Sequence, residues 1–316
     1  MHIDPYIVLG SAIVGLLVGM TGAGGGALMT PMLILLFGVK PSAAISSDLV
    51  AAVVMRPIGA GVHLRAGTVN LRLVRWLVFG SVPAAFLGAY VLRLMGNSKS
   101  ATHNIEVALG TALLIGAGAM ALRFLLDRRS GQHRSAFVTD VEPRPALLVG
   151  LGIVGGIIVG MTSVGSGSLM IVGLLFIYPT IGANQLVGTD LTQAVPLTLA
   201  AALGALVFGH VQFGLTASLI LGSVPAVFVG SLLSSTVPDR YVRPAIAFVI
   251  FASGLKYVGL NTTALGWTLC AVLLAAAVGW LVFARPWSAA QAAVEPLHEV
   301  GSPDREQPAL LTEPRR

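Results

Sequence analysis

Two stretches of the chain set glycine and hydroxyl residues inside apolar runs, and they are copies of each other. Gly19-Met20-Thr21-Gly22-Ala23-Gly24-Gly25-Gly26-Ala27-Leu28-Met29 returns as Gly160-Met161-Thr162-Ser163-Val164-Gly165-Ser166-Gly167-Ser168-Leu169-Met170. Helices starting near Ala27 and Ser168 would aim free backbone N–H groups and the positive end of the helix dipole at whatever faces the break, a setting that favours an anion. Gly24, Gly25, Gly26, Gly165 and Gly167 permit close backbone approach. Thr21, Ser163, Ser166 and Ser168 add hydroxyl donors. The plainer reading is that the glycines only let helices cross closely while the hydroxyls bond to backbone. The duplication, with polar residues in both copies, favours a binding site.

Among the charged residues inside apolar runs, Asp48, Arg56 and Asp190 stand out. An intramembrane charge is costly and points by default to function. The two acids suit a coupling proton or a cation. Each lies a few residues after the expected start of its helix, so each could instead be a cap helped by Ser46, Ser47 or Thr189. Arg56 could bind an anionic substrate, neutralise Asp48 two turns away, or snorkel to one membrane face. Gln193, one turn after Asp190, is a weaker candidate. His63 and His210 read as satisfied histidines at span ends. The single cysteine, Cys270, offers neither a disulfide nor a metal cluster. No His-Glu-x-x-His or Walker-type loop is present, which leaves no ground for a metalloprotease or an ATP-driven machine.

The elements that must position these residues follow from hydropathy. Of 316 residues, 55% are hydrophobic and 10% charged, against about 25% charged in soluble domains. Mean hydropathy is +0.87, and several apolar runs reach the roughly 20 residues that cross a bilayer. The net charge of +6 falls in loops, where it sets orientation rather than marking nucleic-acid binding. Residues 6–39 are too long for one crossing and too short for two. They read as a re-entrant hairpin of half-helices, 6–18 and 27–37, with the glycines at its tip, the alternative being one long tilted helix. Crossings follow near 41–64, 73–95 and 104–126.

The second half repeats the first. Gly80-Ser81-Val82-Pro83-Ala84 matches Gly222-Ser223-Val224-Pro225-Ala226, Ser47-Asp48-Leu49 matches Thr189-Asp190-Leu191, Gly67-Thr68-Val69-Asn70 matches Gly209-His210-Val211-Gln212, and Gly88 matches Gly230. Several matches in order at one offset mean an internal repeat. The second half then holds a hairpin near 146–177 and crossings near 186–208, 214–237 and 242–260. The expected fold is an all-α polytopic membrane protein of two inverted repeats, each a broken-helix hairpin plus three transmembrane helices, with one extra C-terminal transmembrane helix. Residues 1–126 form the first repeat, 127–145 a cytoplasmic linker, 146–262 the second repeat, 263–284 the extra helix and 285–316 a disordered tail. Three crossings per half put Arg65, Arg72, Arg75, the linker arginines, Arg240, Arg243 and Arg285 on one side. The positive-inside rule then sets the N-terminus outside and the C-terminus in the cytoplasm.

The break Gly19 to Gly26 followed by Pro31, the pattern His63-x-x-x-Gly67-x-Val69-Asn70 and the run Gly80 to Gly88 with Pro83 resemble the TauE/SafE family of sulfite-exporter-like permeases. The resemblance covers about residues 7–260. It implies a multi-pass carrier of the inner cell membrane for sulfite, sulfonates or related sulfur anions, linked to a proton, without a cofactor. Asp48 and Asp190 depart from the family pattern, which has small hydroxyl residues there, and Val172 stands where Pro31 would be matched. The expected partners are the anion, a proton and the lipid bilayer, with a homodimer as one assembly and no nucleic acid. Rival readings are an anion channel using the same site, or a membrane anchor or sensor acting through the linker and tail.

Overall fold

In the computed structural model residues 3–21, 25–95, 99–129, 141–167, 169–233, 239–261, 263–271 and 274 are described. The chain divides into two compact units, Met1–Thr262 and Thr263–Arg316. The first is all helix among its described residues: α1 Pro5–Thr21, α2 Gly26–Leu35, α3 Pro41–Arg65, α4 Leu71–Leu94, α5 Lys99–Arg129, α6 Pro145–Thr162, α7 Leu169–Ile177, α8 Ala183–Phe208, α9 Phe213–Leu233 and α10 Asp239–Tyr257. The second has a helix over 263–271. The rest of the expected extra span, the tail and most of the expected linker lie outside the described residues.

Local chemistry sets several helix ends. Pro41 and Pro145 occupy the first turns of α3 and α6, where a missing N–H costs nothing. The Asn70 side chain accepts from the N–H groups of Arg72 and Leu73 at 3.1 and 3.3 Å, starting α4. Among the described residues, six helices are long and apolar enough to cross a membrane: Pro41–Arg65, Leu71–Leu94, Thr102–Leu122, Pro145–Thr162, Gln185–Phe208 and Phe213–Leu233. The apolar parts of α1, α2 and α10 are shorter.

Both broken segments fold back as hairpins. A Cβ on Gly10 of α1 would lie 2.9 Å from the sulfur of Met32 in α2. One on Gly155 of α6 would lie 2.8 Å from the sulfur of Met170 in α7, and Gly173 meets Leu151. The first arms are longer than the expected half-helices. α1 runs on to Thr21 and α6 to Thr162, so Gly19 and Gly160 lie within helices, not in the breaks.

Those two glycines instead serve helix crossing. α6 runs parallel to α4 with backbones nearly touching: a Cβ on Gly152 would sit 2.5 Å from the Leu77 carbonyl oxygen, one on Gly88 2.6 Å from that of Ile157, and one on Gly160 would run into that of Ala85. The same pattern joins α1 to α9, where Gly15 meets Ser223, Gly19 meets Val227 and Gly230 meets Leu16. Each half thus lends its first helix to the other half, through the small-residue contacts that drive helix association in lipid. Gly160→Leu should lower stability in detergent by about 3 kcal/mol or more, read as a fall in melting temperature. Gly118→Ala, with nothing within 4 Å of the added carbon, should raise stability by about 0.5–1 kcal/mol.

Two ends of this bundle can be told apart. At the near end, where the chain begins, the Asp4 N–H donates to Ser218 Oγ and the Gln212 N–H to Ser47 Oγ, both at 3.1 Å. At the far end the Asn70 N–H donates to Thr189 Oγ1 at 3.1 Å and the Arg144 N–H to the Tyr178 hydroxyl at 2.6 Å. A far-end cluster of Leu73, Val141, Leu148, Tyr178, Ile181 and Leu186 packs around them. Ser47 and Thr189 are counterparts in the two halves, as are Asn70 and Gln212, so these ties are reciprocal. α3 therefore runs from near to far end and α8 from far to near.

Candidate functional site

α3 is the central helix, and its first half is buried on nearly all sides, from Ala43 through Leu49 and on to Met55 and Arg56. Asp48 lies two turns inside it and Asp190 two turns inside α8. Neither is a cap. The expected capping role fails because both helices begin earlier, at Pro41 and Ala183.

The hairpin tips converge on Asp48. Thr30 of α2 and Ser163 at the end of α6 each donate to Asp48 Oδ2 at 2.8 Å. Oδ1 is buried without a hydrogen-bond partner among the described residues. Ser163 is in the left-handed region at φ 59°, the sole such non-glycine among the described residues. A strained conformation of this kind persists only where the surroundings hold it. Here the hydroxyl is tied to Asp48, and the backbone carbonyl stands against Gly26 so closely that a Cβ on Gly26 would run into it. Gly165 and Gly167 continue the turn at φ 112° and 105°, values open mainly to glycine. The two tips thus touch backbone to backbone, over an acid.

Arg56 lies eight residues after Asp48, about 12 Å along the helix. It sits near the middle of the α3–α8 crossing, within electrostatic reach of both Asp190 and Asp48. Its side chain is 8% exposed, yet Nε and Nη2 have no hydrogen-bond partner among the described residues. Asp190 Oδ1 accepts from Gln193 Nε2 at 3.2 Å, and Gln193 Oε1 accepts from Ser81 Oγ of α4 at 3.2 Å. The two acids are therefore held differently. Asp48 is bound to the tips, whereas Asp190 is bound to its own helix and through it to α4.

Of the other residues singled out from the sequence, Gly25 caps α2 and Thr21 ends α1. Ser166 Oγ is buried without a partner among the described residues. Gly24 and Ser168 lie outside the described residues. His63 bonds to Thr68 at 2.9 Å, away from the tips. Thr30 escaped the sequence reading. Its signal was a lone hydroxyl in the apolar return arm beside Pro31. Gln193 and Ser81 become partners only through α8 meeting α4.

Residues 7–257 match the family described as sulfite exporter TauE/SafE. The probable membrane transporter protein YjnA of Bacillus subtilis (strain 168) is 39% identical over 253 residues, covering 80% of this chain and 98% of that protein. The probable membrane transporter protein YdhB of the same organism is 24% identical over 252 residues, covering 79% and 98%. No solved structure matches. With a bundle of apolar helices, a polar centre where its two tips meet and a match over most of its length, the chain belongs to the TauE/SafE sulfite exporter family of membrane transporters.

Proposed function

We propose that the protein moves a small sulfur oxyanion, such as sulfite or a short sulfonate, by alternating access, with a proton as the coupled ion. The observation that carries this reading is Arg56. A guanidinium keeps its charge in proteins and presents planar donors that fit an oxyanion. Leaving Nε and Nη2 buried and unmatched is costly, and a bound oxyanion would satisfy both with charge-assisted hydrogen bonds.

The flanking acids supply coupling. With Asp48 and Asp190 ionised, the centre carries two negative charges against one positive, which repels an anion. A proton taken up by either acid removes one negative charge, so anion and proton binding favour each other, and the linkage is reciprocal. Protonation of Asp48 would also weaken its hold on the Thr30 and Ser163 hydroxyls, loosening the tips from α3. Pro57 in α3 and Pro196 in α8 each remove a backbone hydrogen bond near the same level, giving both central helices a place to bend.

The same reading sets the protein in the cell membrane with the far end in the cytoplasm. Arg65, Arg72, Arg75, Arg144, Arg240 and Arg243 belong to helix ends at that face, against Lys40, Arg93, Lys99 and Lys256 at the other. The antiparallel crossing of α3 with its counterpart α8 supports inverted repeats, since a two-fold axis relating antiparallel helices lies across them, in the membrane plane.

Asp48→Asn tests the coupling. The amide can still accept a hydroxyl bond but does not titrate. In proteoliposomes the variant should keep sulfite counterflow and lose accumulation driven by a pH gradient. Undiminished pH-driven accumulation would overturn the role of Asp48, and absent counterflow in the unaltered protein would overturn the carrier reading.

A further inference from the structure

The near end of the bundle holds a cavity, walled largely by apolar atoms and distinct from the polar centre at Arg56. Its volume is about 230 Å³, and Ser42, Ser46, Arg93, Phe208, Gly209 and His210 line it. No carboxylate is among its lining residues. Arg93 is placed rather than loose. Its Cζ stands 5.8 Å from the centroid of the Phe208 ring, a cation–π distance. That ring is itself met edge-on by Phe86 at 5.3 Å and Tyr90 at 5.2 Å.

Ser46 supplies the second, independent observation. It is fully buried, and its Oγ has no partner among the described residues, a condition that buried hydroxyls rarely tolerate. Gly209 lets its backbone pack against that oxygen, because a Cβ there would run into it. Ser46 also lies two residues before Asp48, so the cavity borders α3 at about the level of the acid, on another face of the helix.

We infer that this cavity is a vestibular oxyanion site, in which the Arg93 guanidinium and the hydroxyls of Ser46 and Ser42 hold a sulfite or short sulfonate before it passes to Arg56. The inference rests on the oxyanion reading of the central site, yet it can fail separately. A lipid phosphate would answer to the same donors, and the test distinguishes the two sources.

Purified Arg56→Met protein in neutral detergent is titrated with sulfite and with methanesulfonate by calorimetry. One site per chain should remain. Adding Arg93→Ala should weaken it about tenfold or more, the loss of one charge-assisted hydrogen-bond partner. Adding Arg75→Ala, an exposed arginine at the opposite end of α4, should not change it. In otherwise unaltered protein, Arg93→Ala should raise the transport KM severalfold with the maximal rate kept, and this measurement decides the matter if the double variant does not fold. Absence of residual binding, or binding and KM indifferent to Arg93, overturns the proposal. So does Arg93-dependent binding of phosphatidylglycerol without any binding of sulfite or methanesulfonate, which assigns the cavity to a lipid headgroup. If Arg56→Met still transports, the central reading fails while Arg93-dependent binding keeps the vestibule.

Discussion

Arg56→Met should abolish coupled transport, with a loss of about 100-fold or more in kcat/KM for sulfite. Two hydrogen bonds to a charged group, at about 1.5–3 kcal/mol each, account for that factor. Methionine keeps an unbranched apolar stem of similar reach, so packing around α3 suffers least while the donors vanish. The flanking acids then lose their counter-charge, and removing one member of a buried charge cluster destabilises by about 3–5 kcal/mol when nothing compensates. Proton uptake by Asp48 offers compensation, so the variant should still be inserted and give a monodisperse profile in detergent. Arg56→Lys keeps the charge but not the planar fork, and it should recover only part of the rate. Near-normal transport by the methionine variant would remove Arg56 from the pathway and, with it, the observation on which the central site rests.

Gly26→Val should be the most damaging single change at the tips. Its Cβ would run into the Ser163 carbonyl oxygen, a backbone atom, so the two hairpins must part. Parting them breaks the 2.8 Å bond from Ser163 to Asp48 and leaves a buried carboxylate with one hydroxyl fewer. Transport should fall to background, with a lower melting temperature. Gly25→Ala is the matched control. Its Cβ would meet only the flexible end of Met55 at 3.4 Å, so activity should stay within about twofold, a change of well under 1 kcal/mol. Equal tolerance of both substitutions would show that tip contact is incidental. Gly167→Val fails for another reason. At φ 105° a β-branched residue is strained whatever the space around it.

Several elements were legible from residues alone. A hydrophobic stretch that is wrong for one crossing and for two suggests a fold-back over one long tilted helix, and both broken segments do fold back. The offset of the two copies paired Asp48 with Asp190 and Ser47 with Thr189, and the reciprocal backbone ties at the two bundle ends use that pairing. An arginine inside an apolar run stands out because burying its charge is costly, and Arg56 is indeed buried. Where the reading erred, a local rule met a tertiary one. Gly19 and Gly160 looked like part of the break, but glycine within an apolar helix is also what lets two backbones touch, and the choice belongs to the partner helices α9 and α4. Asp48 and Asp190 looked like possible caps, but the helices start two turns before them, at Pro41 and Ala183.

The sequence by itself determined the class, the duplication, the hairpins and the short roster of polar residues, because each depends on composition or on spacing along one chain. Only the tertiary structure decided which of those residues meet. Thr30, Asp48 and Ser163 come from three helices and both halves, and a hydrogen bond across 115 positions leaves no periodic trace in the residues between. The same holds for the asymmetry of the centre. Two matching acids acquire different partners because Ser163 arrives over one and Gln193 reaches the other, and that is a matter of which surfaces the crossing of α3 and α8 brings together.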